Sequence, residues 1–274
     1  MTPDPLAHAV AQTIAAERLE GWAPTDEHVV ALSALARDDV TFAEYLAPFR
    51  ARHPPPARHG RRWRLRRIPY LIPGTNVLRN EFGAQSWAML AELEFVATAG
   101  RMVCWLRALD DAAAERRDRL DVRALHRHLF VDVYSWAGEL RITELRRGDH
   151  GFAWLSALPS AVAGLSDAVE QVSEAGVAQD GPRLEYELAK LYADYNQLHP
   201  FREGNGRAGA LLLHGVAARC GRRLDLSGLT REQWYAAAAD SMPFRRVGRA
   251  SHRPFLYLLH GKTSSRNLVA PDAG

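Results

Sequence analysis

Lysine is nearly missing from this 274-residue chain: Lys190 and Lys262 are the only two, and arginine supplies the rest of the 35 basic residues, as GC-rich codon usage would produce. Cysteine is equally scarce. Cys104 and Cys220 stand far apart, which excludes a Cys-x-x-Cys metal clip and a disulfide scaffold and fits a reducing, cytoplasmic compartment. Long apolar runs are missing too. The longest, Ala208 to Ala218, falls short of the eighteen or more residues a membrane span needs, and the N-terminus lacks a basic segment followed by an apolar one. No membrane partner and no exported form are expected. A large charge imbalance is also absent, since the formal net charge is only +3. One dense basic stretch, Arg58, Arg61, Arg62, Arg64, Arg66 and Arg67 around Trp63, would be the place to grip phosphates of a nucleic acid. Its alternation suits an amphipathic strand or a solvated linker better, so nucleic acid is not expected as a partner.

What the chain does have is enough apolar residues, 47%, to fill a real core. Turn and breaker residues divide it. Leu6, Val10 and Ile14 mark one helical face, closed by Gly21 and Pro24; a second helix follows the N-cap Thr25 to about Arg37; a third covers Thr41 to Phe49. Residues 1–52 thus read as a small three-helix segment, and Pro54, Pro55 and Pro56 open a stiff linker over 53–67. From residue 68 to 262 long stretches of helical periodicity dominate, at roughly 84–113, 121–137, 155–175, 183–198, 207–220, 230–240 and 252–259. The interruption from Leu140 to Trp154, with Arg146, Arg147, Gly148, Asp149 and Gly151 between β-prone pieces, predicts a hairpin. Residues 263–274 read as a flexible tail.

One segment concentrates chemistry: Leu198-His199-Pro200-Phe201-Arg202-Glu203-Gly204-Asn205-Gly206-Arg207. Leu184, Leu188, Leu191, Tyr195 and Leu198 make one apolar stripe before it, and Pro200 must stop that helix at His199. After it the chain is apolar nearly all round, so the loop is pinned between two core helices. Gly204, Asn205 and Gly206 take positive φ most easily, so their backbone N–H groups can converge where the next helix presents its positive end. That makes an anion hole. Arg207 adds positive charge, Glu203 offers the oxygen a phosphate-bridging Mg²⁺ prefers, His199 suits proton removal from a hydroxyl, and Phe201 anchors the loop. Gly261-Lys262-Thr263 carries the last letters of a phosphate loop, but Leu256 stands where its first glycine belongs.

These residues resemble the Fic (Fido) family motif H-x-F-x-[D/E]-G-N-G-R-x-x-R, which His199, Phe201, Glu203, Gly204, Asn205, Gly206 and Arg207 match in register. Further similarity runs over about 68–245, through Tyr70 to Asn80, His128-Leu129-Phe130, Tyr134, Trp136, Ala137, Gly138, Glu139 and Arg141. The resemblance implies a mainly α fold, a Fic-type helical core with a small β-hairpin flap at about 147–156. It implies a protein adenylyltransferase: ATP as substrate, Mg²⁺ as cofactor, AMP moved to a Ser, Thr or Tyr hydroxyl of a target protein docked on the flap. By position His199 would be the base, Glu203 the metal ligand, Gly204, Asn205 and Gly206 the phosphate cradle, and Arg207 a triphosphate contact. The motif's last arginine is replaced by Ala210, which removes the family's contact to the terminal phosphate and predicts weakened transfer. Two alternatives stay open: phosphate or another nucleotide moiety is transferred, or the chain is a catalytically degenerate nucleotide-binding module. Glu17-Arg18-Leu19-Glu20-Gly21-Trp22 in turn resembles the inhibitory helix of VbhA-like antitoxins, [S/T]-x-x-x-E-[G/N], with Ala16 at the hydroxyl position. That likeness implies a toxin–antitoxin pair fused in one chain, autoinhibited by Glu20.

Overall fold

Asp4, which accepts the Leu6 N–H at 3.2 Å, and Pro5 at the first helical position start helix α1 (Pro5–Leu19). The computed structural model describes residues 4–54, 68–109, 120–175 and 180–266. Capping boxes set up the next two helices: Thr25 with His28 for α2 (Asp26–Ala36), and Thr41 with Glu44 for α3 (Phe42–Arg52). α3 runs three residues past the expected stop and carries Pro48 within it. Pro48 is exposed, so the carbonyl it leaves unpaired faces water, where the loss is mild.

The centre of the molecule is α4 (Trp87–Leu109), which buries Leu90, Leu93, Val96, Ala97, Met102 and Val103. The N-terminal helices do not stand apart as an appendage. α1 touches α2, α4, α8 and α9, and Ala9, Val10, Ala16 and Leu19 belong to the same core as Leu211, Leu224 and Phe255. A polar clamp reinforces this: buried Gln12 donates to Asp225 Oδ1 at 2.8 Å and accepts the Leu226 N–H at 2.8 Å.

The remaining elements are α5 (Val122–Phe130), the hairpin β1 (Arg146–Arg147) and β2 (His150–Gly151), α6 (Leu158–Ala175), α7 (Gly181–Leu198), α8 (Asn205–Arg219), β3 (Arg222–Leu224), α9 (Arg231–Asp240), α10 (Arg253–Leu259) and β4 (Thr263–Ser265). Among the described residues the fold is therefore mainly helical, with the β1–β2 hairpin and a second two-stranded antiparallel sheet that pairs β3 with the distant β4. The helix expected over 121–137 ends at Phe130, and turns carry the chain on. Of the residues expected to form a flexible tail, 263–265 instead make strand β4: Leu224 pairs with Thr263 and Arg222 with Ser265. The basic stretch 58–67 and its expected strand lie outside the described residues. Among the described residues no helix is long and apolar enough to cross a membrane.

Candidate active site

α7 ends where proline dictates. The last helical bond runs from His199 N–H to Tyr195 O at 3.0 Å, and His199 itself adopts the left-handed conformation, φ 45° and ψ 60°, because the ring of Pro200 disfavours the helical one. A residue with a Cβ in that region is uncommon and must be held there. Arg141 does the holding. Its buried guanidinium donates from Nε to His199 O at 2.8 Å, from Nη1 to Thr143 O at 3.0 Å and from Nη2 to Ala153 O, so one side chain ties the loop to both strands' flanks. The Arg141 N–H adds a bond to Pro200 O at 2.8 Å.

The rest of the loop is clamped by its own side chains. Asn205 Oδ1 accepts the Phe201 N–H at 3.0 Å and Asn205 Nδ2 donates to Phe201 O at 2.9 Å, closing a tight ring across the turn. Phe201 is fully buried. Beneath it His126 stacks at 3.9 Å between ring centroids. His126 Nδ1 accepts the Gly138 N–H at 2.9 Å, so its proton sits on Nε2, which donates to Glu203 O at 2.9 Å. Burial drives the pKa of His126 down to about 3, so it is a neutral strut at ordinary pH. Gly204, at φ 78°, has no room for a side chain because Phe130 lies against it.

Asn205, Gly206 and Arg207 open α8, and their N–H groups have no partner within the helix. Asn205 and Gly206 line a cavity of about 110 Å³ together with Glu20, Arg147, Tyr192, Tyr195, Asn196, His199, Arg202, Glu203, Gly204, Trp234, Tyr235 and Ala238. His199, Glu203, the glycine cradle and Glu20 thus meet at one place, although Glu20 comes from the far end of the chain. Its carboxylate rests on Gly206 so closely that a Cβ there would overlap it, and Tyr235 Oη donates to Glu20 Oε2 at 3.4 Å. Burial raises the Glu20 pKa, while Arg207, Arg147 and Arg231 pull it back down.

His199 stacks on Phe152 from the β1–β2 hairpin, 3.9 Å between centroids and 10° from parallel. Burial first, then the charges of Arg147 and Arg141, lower its pKa to about 3, leaving the neutral imidazole that accepts a proton. Glu203 accepts the Gly204 N–H at 3.1 Å through Oε1 and is half open to the cavity. Burial and the carboxylates Glu94 and Glu20 raise its pKa, the surroundings in which a cation is welcome.

Arg207 departs from expectation. Its guanidinium does not line the cavity; it turns inward, pairs with Glu94, donates from Nη1 to Thr98 Oγ1 at 3.2 Å and lies between Phe95 and Phe130, 5.1 and 4.7 Å from their centroids. Four carboxylates, Glu94, Glu17, Glu203 and Glu20, raise its pKa. Position 210 carries only a methyl group, and the arginines farther along the chain are engaged elsewhere. Arg219 pairs with Glu170 at 2.8 Å, and Arg253 starts α10 and faces a separate groove.

Sequence reasoning missed Glu94, Glu17, Arg147, Tyr235 and the strut His126. Glu94 and Glu17 left a faint signal as charges on helix faces otherwise apolar. Arg147 and Tyr235 left none, because nothing local says that a hairpin turn and α9 converge on the loop.

The sequence profile of the Fic/DOC family matches residues 118–217. The "Probable protein adenylyltransferase Fic" of Salmonella typhimurium is 32% identical over 174 residues, 62% of this chain and 82% of that protein. This chain belongs to the Fic/DOC family. In solved structures the fold recurs in BepC of Bartonella tribocorum with bound AMPPNP (TM-score 0.59, 20% identity, 72% of this chain and 97% of that one). It recurs also in a Fic domain containing signaling protein of Bacteroides thetaiotaomicron (TM-score 0.59, 16% identity, 94% of this chain and 84% of that one).

Proposed function

We propose that this protein is a protein adenylyltransferase that moves AMP from ATP to a Ser, Thr or Tyr hydroxyl of a target protein and is held in check by Glu20. The observation that carries this reading is that a neutral imidazole, a carboxylate and the free amides of a helix N-terminus converge on one cavity. The names of relatives and the AMPPNP in BepC agree with it.

The phosphates would rest on the Gly204, Asn205 and Gly206 backbone, where the Asn205 and Gly206 N–H groups and the helix dipole favour an anion. His199 takes the proton of the target hydroxyl. The hydroxyl oxygen then bonds the α-phosphorus while the α–β anhydride bond breaks, and pyrophosphate leaves. Among the described residues no cluster of three or more metal-ligating side chains occurs. Glu203, where neighbouring carboxylates make a cation welcome, would hold a Mg²⁺ ion. When bound, the ion supplies charge neutralisation between the phosphates.

The same geometry supports autoinhibition by a VbhA-like N-terminal segment. A carboxylate on Gly206 occupies the place of an anion, and about 110 Å³ is well below the 300 Å³ or more that a nucleotide-sized ligand needs. The target would dock along the hairpin, extending it by backbone pairing, with its hydroxyl near the ring of His199.

The test is to incubate Glu20→Gly with ATP labelled at the α- or the γ-phosphate in the presence of a lysate. Label on protein from α-labelled ATP, lost in Glu20→Gly/His199→Ala, supports the reading. Label arriving only from the γ-position would mean phosphate transfer, and none from either position would mean a nucleotide-binding module without transfer.

A further inference from the structure

The loop offers phosphate-binding amides, yet α8 gives no cation to the cavity: Arg207 faces inward and position 210 is alanine. Two arginines do line it, Arg147 and Arg202. The charge of Arg202 is felt by Tyr70, whereas that of Arg147 is felt by both Glu20 and His199. Arg147 faces Glu20. It comes from β1, and its guanidinium lies 5.4 Å from the Phe152 centroid and 5.6 Å from that of Tyr235. Phe152 is the ring stacked on His199 and Tyr235 is the phenol bonded to Glu20. Arg147 therefore spans the gap between the imidazole and the inhibitory carboxylate. Its hydrogen bond to a side chain is a long one, Nη1 to Asn196 Oδ1 at 3.4 Å, which leaves most of its five donors for another acceptor. Arg231 also senses Glu20, but it stacks on Tyr235 at 4.8 Å and packs against Gly21, off the cavity wall.

We infer that Arg147, on the hairpin, is the cation for the distal phosphates of the nucleotide, and that in the closed state Glu20 borrows this same cation. This rests on the adenylyltransferase reading above. An anion that seats one phosphate on the α8 amides and extends outward meets Arg147, which lines the cavity and whose charge acts on Glu20. Because Arg147 belongs to the strand that would receive the target, distal-phosphate binding and the posture of the target-docking hairpin are one event. In this chain the second motif arginine has been replaced by a residue on a different element.

The experiment is calorimetric titration of ATP and of AMP, each with Mg²⁺, into the full chain carrying Glu20→Gly, alone and with Arg147→Ala, Arg147→Lys or Arg202→Ala. Removing a charge-assisted contact to phosphate should weaken ATP about tenfold to a hundredfold. AMP, which lacks the distal phosphates, should change less than about twofold. Arg147→Lys should keep part of the ATP preference and Arg202→Ala all of it. If Arg147→Ala leaves ATP unchanged, or weakens ATP and AMP alike, the assignment is overturned, the second result marking Arg147 as a cavity-shaping residue. Adding Ala210→Arg to the Arg147→Ala variant should widen the ATP-over-AMP gap again, which a misfolded protein would not do. Failure of the Glu20→Gly chain to bind either nucleotide would overturn the nucleotide reading itself, before Arg147 is touched.

Discussion

The carboxylate of Glu20, the C-cap of α1, lies against Gly206, the second residue of α8, in the space that any side chain at 206 would occupy. A glycine admits the backbone of α8 to an anion, and here the anion is the protein's own. The contact is secured by Tyr235 and by the packing of α1 into the common core.

Removing that carboxylate without removing the helix should open the cavity. Glu20→Gly is expected to raise self-labelling from α-labelled ATP by tenfold or more, the size of a lost charge-assisted blocking contact. Deleting α1 to α3 is a poorer test, because α4 would lose the cover of its apolar face. Unchanged labelling in Glu20→Gly, with ATP binding intact, would remove Glu20 from any inhibitory role.

His199 should show an unusual pH profile. Its folded pKa is pulled below the ordinary 6.5, chiefly by burial and then by Arg147 and Arg141, so the proton-accepting form persists as pH falls. In the Glu20→Gly background the single-turnover rate should therefore stay level from pH 8 to about 6 and decline only in more acid solution. A break at 6.5 or above would mean that burial and the two arginines do not hold the imidazole neutral. His199→Ala should abolish transfer while leaving ATP binding within a few fold.

Glu17 makes a separate prediction about stability. It is wholly buried beside Arg207, Glu20 and Glu94, and desolvation lifts its pKa to about 8. A carboxyl whose folded pKa is raised binds a proton more tightly when folded. Its contribution is thus fullest below the unfolded value near 4.5 and is lost as pH rises toward 8. Stability should fall over that window by up to about 1.4 kcal/mol per pH unit, and Glu17→Gln should flatten the dependence and melt higher at pH 8. Thermal melting of both proteins across pH 5 to 8 decides it; parallel curves would show that Glu17 is not the titrating group.

Asn205 is expected to matter through its side chain as well as its backbone. Asn205→Ala strips the partners of the buried Phe201 N–H and C=O, at a cost of about 2 kcal/mol, and frees the turn that aims the α8 amides. The melting temperature should drop, and ATP affinity in the Glu20→Gly background should drop with it. An unchanged affinity would mean that the loop is held by Arg141 and His126 alone.

Local chemistry was enough to read much of this protein. Pro200 ends α7 whatever surrounds it, Gly204 takes a left-handed turn because it has no Cβ to clash, and the stripe from Leu184 to Leu198 is periodic along one helix. The motif loop and the helical character follow from such short-range rules. What tertiary structure decided is where charges go once the helices pack. Arg207 was read as a phosphate contact, but Glu94 from α4 and Thr98 one turn on draw it into the core. Glu20 meets Gly206, and Arg147 faces both, only because α1, α8 and the hairpin converge; no spacing in the chain encodes that meeting. Sequence patterns report backbone preference and burial within an element, whereas ion pairs between elements depend on distances that only the folded core sets.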